Sequence, residues 1–309
     1  MSKQADVKEP SGVLIINKHA GATSHDIVNR IRRLYGTRRV GHTGTLDPMA
    51  TGVLVVLIGR AAKADEYLTA ASKRYRATLR LGITTDTEDI TGTTLTTSER
   101  IPSFEEIKAV LPKFRGKIQQ IPPMYSALKV NGQKLVDLAR QGVTVERKPR
   151  EIEIFDLTAA PTERDTEYIL DVCCSGGTYI RTLCADIGSL LGCGGAMATL
   201  ERTEAGGFSL QTAHTVEKLE TMEPEERLSL LIPTESLFAD CPQVNLPAFY
   251  ERLCRSGCEI YQKKISVQYA VGERVRLCDQ NGAFFALGEV REYENGTAIK
   301  AIKTFSLND

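Results

Sequence analysis

The sequence has no apolar run approaching the ~18 residues of a membrane span, so transmembrane helices are not expected. Its start, Met1 to Ser11, is polar and mixed in charge and lacks the apolar core of a secretory leader, so export is not expected. There is no C-x-x-C pair among the cysteines at 173, 174, 184, 193, 241, 254, 258 and 278. In a chain expected to be cytoplasmic they read as reduced, buried thiols rather than a disulfide framework. Cys254 and Cys258 have a loose ligand spacing, but no second pair or nearby histidine completes a tetrahedral site, so no metal is expected. Net charge is absent too: 39 basic and 39 acidic side chains cancel.

Zero net charge argues against a nucleic-acid binder only if the charges are mixed evenly, and they are not. Residues 1–80 carry 14 basic against 6 acidic side chains and residues 111–150 carry 9 against 2, whereas residues 201–240 carry 3 against 9. Such segregation allows a basic face on a neutral molecule. Charge alone fits ordinary solvated faces equally well.

Local patterns organise the chain. Val13–Ile16 and Val53–Ile58 read as buried strands. A helix is expected from Thr23 or Ser24 to Tyr35. Thr23 and Asp26 resemble a capping box, Gly36 suits the exit, and Ile27, Ile31 and Leu34 form the packing face. Arg30, Arg32 and Arg33 point elsewhere and leave the helix positively charged. Arg60–Ser72 reads as a helix. Along Arg74–Leu81, Tyr75, Ala77, Leu79 and Leu81 alternate with Arg74, Arg76, Thr78 and Arg80, the signature of a half-buried strand with a basic outer side. Residues 104–114 are weakly helical, and Pro122-Pro123 precedes a basic turn-and-helix insertion over Ser126–Gln141. Strands near Ile152–Leu157 and Tyr168–Cys174 lead to a helix from Thr178 to Leu191, closed by Gly192. Beyond about residue 235, Asn281-Gly282 and Asn295-Gly296 each lie between strand-like runs and predict hairpins in a small β-rich domain.

The stretch richest in chemistry is Gly41-His42-Thr43-Gly44-Thr45-Leu46-Asp47-Pro48-Met49-Ala50-Thr51-Gly52. Pro48 holds Asp47 in extended backbone geometry and can aim its carboxylate from a fixed support. Taken locally, Asp47 reads first as a turn residue bonded to nearby amides. Gly36 to Thr43 lies one residue from a phosphate-binding Walker loop, with His42 where lysine belongs. The helix precedes this segment instead of following it, so nucleotide hydrolysis is rejected.

Together with four further segments, this loop resembles the TruB family, the tRNA pseudouridine-55 synthases. The segments are Lys18–Ser24; Lys73–Ala77; Gln120–Lys129 (Gln-Ile-Pro-Pro-Met-Tyr-Ser-Ala-Leu-Lys); and Ser175–Arg181 (Ser-Gly-Gly-Thr-Tyr-Ile-Arg). Leu200-Glu201-Arg202-Thr203 closes the ordered set, which spans residues 12–208. Three positions depart from the family pattern: His19 stands for a usual proline, Gly176 for a common lysine and Val136 for a common tyrosine.

The resemblance implies an α+β fold: a pseudouridine synthase catalytic domain with a mixed, largely antiparallel sheet over residues 1–235, with a basic RNA-binding insertion at about 124–150. Residues 236–309 are then a small C-terminal, β-rich, PUA-like RNA-binding domain. It implies Asp47 as catalytic carboxylate, Arg181 as its ion-pair partner and Tyr75 as the stacking platform for a flipped base. His42 would enter the space left by that nucleotide, with Thr43 beside it in the loop, and Tyr179 and Leu200 would line the uracil pocket. Lys18, Arg38, Arg39, Lys129, Arg140 and Arg202 would contact phosphates. No cofactor is expected, because moving C1′ from N1 to C5 of uracil neither adds nor removes electrons. The expected partner is the T-arm of tRNA, met by a cytoplasmic monomer with no obligatory protein partner. Three other readings stay open: a catalytically silent tRNA-folding factor on the same scaffold, a guide-RNA-dependent synthase of the dyskerin type, and a glycosidase releasing free base. Dyskerin-type chains often carry lysine-rich tails, whereas this sequence closes on Ser306-Leu307-Asn308-Asp309.

Overall fold

The computed structural model describes residues 9–69, 71–130 and 132–306; most of the polar start and the closing Leu307 to Asp309 lie outside that range. The elements in chain order are β1 (Gly12–Lys18), α1 (Ser24–Leu34), β2 (Val40–His42), β3 (Thr51–Ile58), α2 (Asp65–Thr69), β4 (Lys73–Leu81), β5 (Ile83–Thr85), β6 (Thr94–Thr97), α3 (Phe104–Val110), β7 (Gly116–Gln120), β8 (Lys129–Val130), β9 (Gln133–Lys134) and α4 (Leu135–Arg140). They continue with β10 (Arg150–Pro161), β11 (Glu167–Cys174), α5 (Ile180–Leu190), β12 (Gly195–Ala205), β13 (Phe208–Ser209), α6 (Val216–Thr221), α7 (Pro224–Ser229), β14 (Gln243–Asn245), α8 (Ala248–Arg255), β15 (Ile260–Tyr261), β16 (Arg274–Cys278), β17 (Phe284–Tyr293) and β18 (Gly296–Thr304).

The large sheet runs β1-β3-β12-β4-β11-β10-β7, with β2 and β13 attached at β3 and β12. Its pairs are antiparallel except β12 beside β3, so the sheet is mixed and largely antiparallel as expected. β1 and β3 are continuous apolar runs because both of their faces are covered. Leu14, Ile16, Leu54, Val56 and Ile58 enter the main core, while Val13, Ile15, Val53, Val55 and Leu57 enter a second core on the opposite face. β4 alternates as predicted apart from Thr78. That residue is buried because its hydroxyl meets Thr199 Oγ1 on β12 at 2.6 Å.

Helix α1 begins with the predicted capping box. Thr23 Oγ1 accepts from the Asp26 amide and Asp26 accepts from the Thr23 amide. Its arginines behave differently from the expectation of a free basic face. Arg30 reaches Glu217 and Glu220 of α6 at 2.9 and 2.8 Å, and Arg32 bonds Asn29 and the Val40 carbonyl. Part of the helix's positive charge therefore docks α6 instead of facing solvent. The helix expected over Arg60–Ser72 is a 3-10 turn, Gly59–Ala64, followed by the short α2.

The second sheet runs β14-β16-β17-β18-β15, and both Asn-Gly pairs fall in its hairpin turns. It has its own core, including Val244, Val275, Phe285 and Ile299. Phe238, Phe284 and Phe305 pack together against Ala64 and join this sheet to the segment beside α2. Lys303–Glu66 and Arg276–Glu235 ion pairs flank the junction.

Gly52 opens β3 at φ +103°, and a Cβ there would overlap the backbone of Arg202 on β12. Both the left-handed backbone and this contact exclude a side chain. Gly52→Ala is predicted to lower unfolding free energy by about 3 kcal/mol or more in urea denaturation; a loss below about 1 kcal/mol would show that the β3–β12 contact yields easily.

Candidate active site

Asp47 sits in the loop between β2 and β3, and that loop is fastened from three sides. Ser24 on α1 bonds the Leu46 backbone twice, accepting from its amide at 2.8 Å and donating to its carbonyl at 3.1 Å. Lys18 at the end of β1 donates to the carbonyls of His19, Ala22 and Pro48. Arg202 on β12 donates to Gly44 and Val53 carbonyls at 3.0 and 2.7 Å. The Asp47 carbonyl accepts from the Ala50 amide, closing a tight turn, while its carboxylate turns away from local amides.

That carboxylate meets Arg181 in the first turn of α5. Arg181 Nε lies 3.0 Å from Asp47 Oδ2, and Nη2 lies 3.5 Å from Oδ1. The guanidinium also donates to the Thr87 carbonyl at 3.2 Å, to Asp89 Oδ2 at 3.4 Å and to the Tyr125 carbonyl at 2.9 Å. Its four Nη–H groups thereby make hydrogen bonds, and Nε faces Asp47 within the ion pair. Helix α5 has no side-chain cap of its own and no acidic residue in its first turn. The loop after β5 brings acidic side chains to that turn: Asp89 faces Arg181, and Glu88 accepts from Thr182 Oγ1 at 2.5 Å. Glu88 holds φ +64°, a strained value for a non-glycine residue.

Burial pushes the Asp47 carboxyl above the usual carboxylate range; the Arg181 guanidinium opposes the shift, Asp89 adds to it and Lys18 opposes it. About a third of the Asp47 side chain is nevertheless accessible, because it faces a cavity rather than the packed core. The cavity has a volume of about 440 Å³. Its walls include Gly44 to Asp47, Lys73, Tyr75, Tyr125 to Leu128, Val136, Gly177 to Arg181, Leu200 and Arg202. Tyr75, Tyr179, Ile180 and Leu200 give it apolar, partly aromatic sides. Burial raises the phenols of Tyr75 and Tyr179. The Tyr179 backbone is clamped by buried Gln120, which accepts from its amide at 2.9 Å and donates to its carbonyl at 3.0 Å. Burial lowers Lys73 to about 8, with the Arg202 charge adding to the shift.

The expected residues therefore separate. Asp47, Tyr75, Arg181, Tyr179 and Leu200 converge on one cavity. Lys129 and Arg140 line a second, shallower depression between the β8–β9 hairpin and α4, with Lys134 and Asp137. Lys18 and Arg202, expected at phosphates, are both buried and bonded to backbone carbonyls that hold the Asp47 loop, and Arg202 also lines the cavity. Burial lowers Lys18 to about 8. His42 and Thr43 lie outside the cavity wall. Thr43 is buried, and His42 Nδ1 accepts from the Gly44 amide while burial lowers its pKa. The sequence reading missed Asp89, Gln120 and Lys73. Lys73 and Gln120 lay in quoted segments, whereas Asp89 carried no local mark beyond the acidic run Asp86-Thr87-Glu88-Asp89. Among the described residues no cluster of histidine, cysteine, aspartate or glutamate has the makings of a metal site.

Two family models match the chain. "TruB family pseudouridylate synthase (N terminal domain)" covers residues 32–180, and "tRNA pseudouridylate synthase B C-terminal domain" covers 181–239. A protein of Alkaliphilus oremlandii named tRNA pseudouridine synthase B is 42% identical, over 95% of this chain and 98% of its own length. Its namesake from Thiobacillus denitrificans is 43% identical, over 90% and 91%. Among solved structures, a chain in "Crystal Structure of a Cbf5-Nop10-Gar1 Complex" superposes with a TM-score of 0.71 at 26% identity, covering 96% of this chain and 85% of its own. A chain in "Structure of H/ACA RNP bound to a substrate RNA containing 2'-deoxyuridine" has a TM-score of 0.70 at 22% identity, covering 100% and 94%, and supports the fold.

The raised Asp47 carboxyl sets a pH dependence. A reaction that needs this group ionised loses rate on acidification while ordinary exposed carboxylates are still charged. The acid limb of the kcat–pH profile is predicted to lie above the usual carboxylate range. Arg181→Lys, which loses two donors and the planar fork, is predicted to move that limb further up and cut kcat at least tenfold; an unmoved limb would show that Arg181 does not govern Asp47.

Proposed function

The chain belongs to the TruB family of pseudouridylate synthases, and on that premise we propose that it isomerises uridine at position 55 in the T-loop of tRNA, with Asp47 as the catalytic carboxylate. The observation that carries this reading is the Asp47–Arg181 pair at the wall of a cavity with aromatic and aliphatic sides. The named relatives act on tRNA, and the placement of basic side chains around the insertion suits a phosphate backbone.

Conversion of uridine to pseudouridine breaks N1–C1′, turns the base and joins C5 to C1′; the proton on C5 is lost and N1 gains one. A uridine inside a folded RNA arm must leave its stack to reach Asp47, at a cost of a few kcal/mol. Stacking on Tyr75 returns roughly 1–3 kcal/mol, so the two nearly balance. Asp47 then acts at the nucleoside, held ionised by Arg181 against its own burial, in the manner of a carboxylate at a glycosidic carbon. No electron acceptor enters this balance. Lys129 and Arg140 are assigned to the phosphate backbone, and Tyr179 and Leu200 to the walls around the base. His42, partly buried beside the loop, is assigned to the gap left by the flipped nucleotide, with Thr43 supporting it from below. Residues 1–235 form the catalytic unit with its insertion at 124–150. Residues 236–309 are a PUA-like unit gripping the rest of the arm. The protein is assigned to the cytoplasm and acts as a monomer without a protein partner.

The test is tritium release from tRNA labelled at uridine C5, comparing wild type with Asp47→Asn. Release by the wild type alone supports the reaction and the residue. Tight binding without release identifies a silent RNA-binding factor, and free uracil as product identifies a glycosidase. Tyr75→Leu is predicted to lower turnover on the order of 10- to 100-fold while leaving RNA affinity within about twofold; an unchanged rate would return Tyr75 to a purely structural role.

A further inference from the structure

Among the described residues, three buried side-chain polar atoms have no hydrogen-bond partner: Arg32 Nε, Arg227 Nε and Ser126 Oγ. Of these only Ser126 lines the cavity that holds Asp47. Ser126 is 6% exposed, and its backbone is pinned on both sides: its amide donates to the Met124 carbonyl and its carbonyl accepts from Val136. Its Oγ lies within interaction range of the Tyr179 side chain and draws that phenol's pKa down against burial, without forming a hydrogen bond of proper geometry.

Several other polar groups of the wall are already committed. Arg181 is held by Asp47, Thr87, Asp89 and Tyr125, Arg202 holds two loop carbonyls, Lys73 reaches the Ala71 carbonyl, and the Tyr179 backbone is clamped by Gln120. A buried hydroxyl without a partner is costly, and one that faces a cavity is completed by what enters it. We infer that Ser126 Oγ hydrogen-bonds the polar edge of the flipped uracil, an assignment that rests on the proposed function.

The chemistry of the base narrows the contact. Uracil has only O2, N3–H and O4 as polar groups once N1 is bound to the sugar, so a hydroxyl that serves the base meets that edge. When the base turns to present C5 to C1′, it rotates about the line through N3 and C6. The two carbonyls exchange places and N3–H stays put. A serine hydroxyl both donates and accepts, so the same group serves the edge before and after the turn.

The test measures Ser126→Ala beside wild type and Asp47→Asn in the same tritium-release assay, with RNA affinity and Tm. Because the hydroxyl is unsatisfied in the free protein, its removal is expected to leave Tm unchanged or raise it by about 2 °C. Because the hydroxyl is satisfied by the base, kcat/KM is expected to fall on the order of tenfold. RNA affinity, set by backbone contacts elsewhere, is expected to hold within about twofold. Unchanged turnover would overturn the assignment, as would a loss of turnover matched by a fall in Tm. Wild-type inactivity would overturn the reaction itself and this assignment with it, which separates the two failures.

Discussion

One guanidinium organises the site. Arg181 offers five donors in a rigid plane and meets four partners from three separate parts of the chain: Asp47 in the β2–β3 loop, Thr87 and Asp89 after β5, and Tyr125 at the root of the insertion. Each partner alone is a modest interaction. Together they fix the position of the carboxylate, because the guanidinium cannot swing toward one partner without losing another. Lysine has the charge but not the fork, so charge conservation is not conservation of this geometry. Asp89 has a second consequence. It cancels part of the positive field that Asp47 would otherwise feel, and with burial it leaves that carboxyl more basic than an exposed aspartate.

The loop's other supports are two buried cations turned inward. Lys18 and Arg202 come from strands on either side of β3, and both donate to backbone carbonyls that the loop itself cannot satisfy. The eight-residue loop from Thr43 to Ala50 has no core of its own. Its rigidity is borrowed from β1, β12 and Ser24 of α1. The Gly52 backbone lies directly against Arg202, which leaves no room for a Cβ and draws the loop's exit onto β12.

What the sequence disclosed followed the range of each interaction. The capping box of α1, the alternation of β4, the two Asn-Gly hairpins and the glycine after α5 are local, and each is found as expected. Asp47, Tyr75 and Arg181 emerged through resemblance, since locally Asp47 reads as a turn residue and Tyr75 as core. The burial of Lys18 and Arg202 was not legible, because long basic side chains are usually exposed. What buries them is a set of carbonyls up to 158 residues away. Asp89 escaped notice for the same reason: its partner is 92 residues along the chain. Gln120 was quoted within a motif, yet its clamp on Tyr179 belongs to the meeting of β7 with α5. No periodicity records such a meeting.

The Tyr125 carbonyl ties the basic insertion to the Asp47–Arg181 pair. Residues 126–130 and 132–143 fold back on one another, with Leu135 donating to Leu128 and Val136 to Ser126, and the base of that turn rests on Arg181. Withdrawing the root of the insertion from the cavity would strip one donor of its acceptor inside a buried network, where an unpaired group is costly. It would also remove Ser126 and Val136 from the wall. The insertion therefore forms part of the cavity even before any RNA is present. The cavity's shape and the orientation of Asp47 are set by the same side chain, so the root of the insertion and the Asp47 carboxylate are one mechanical unit.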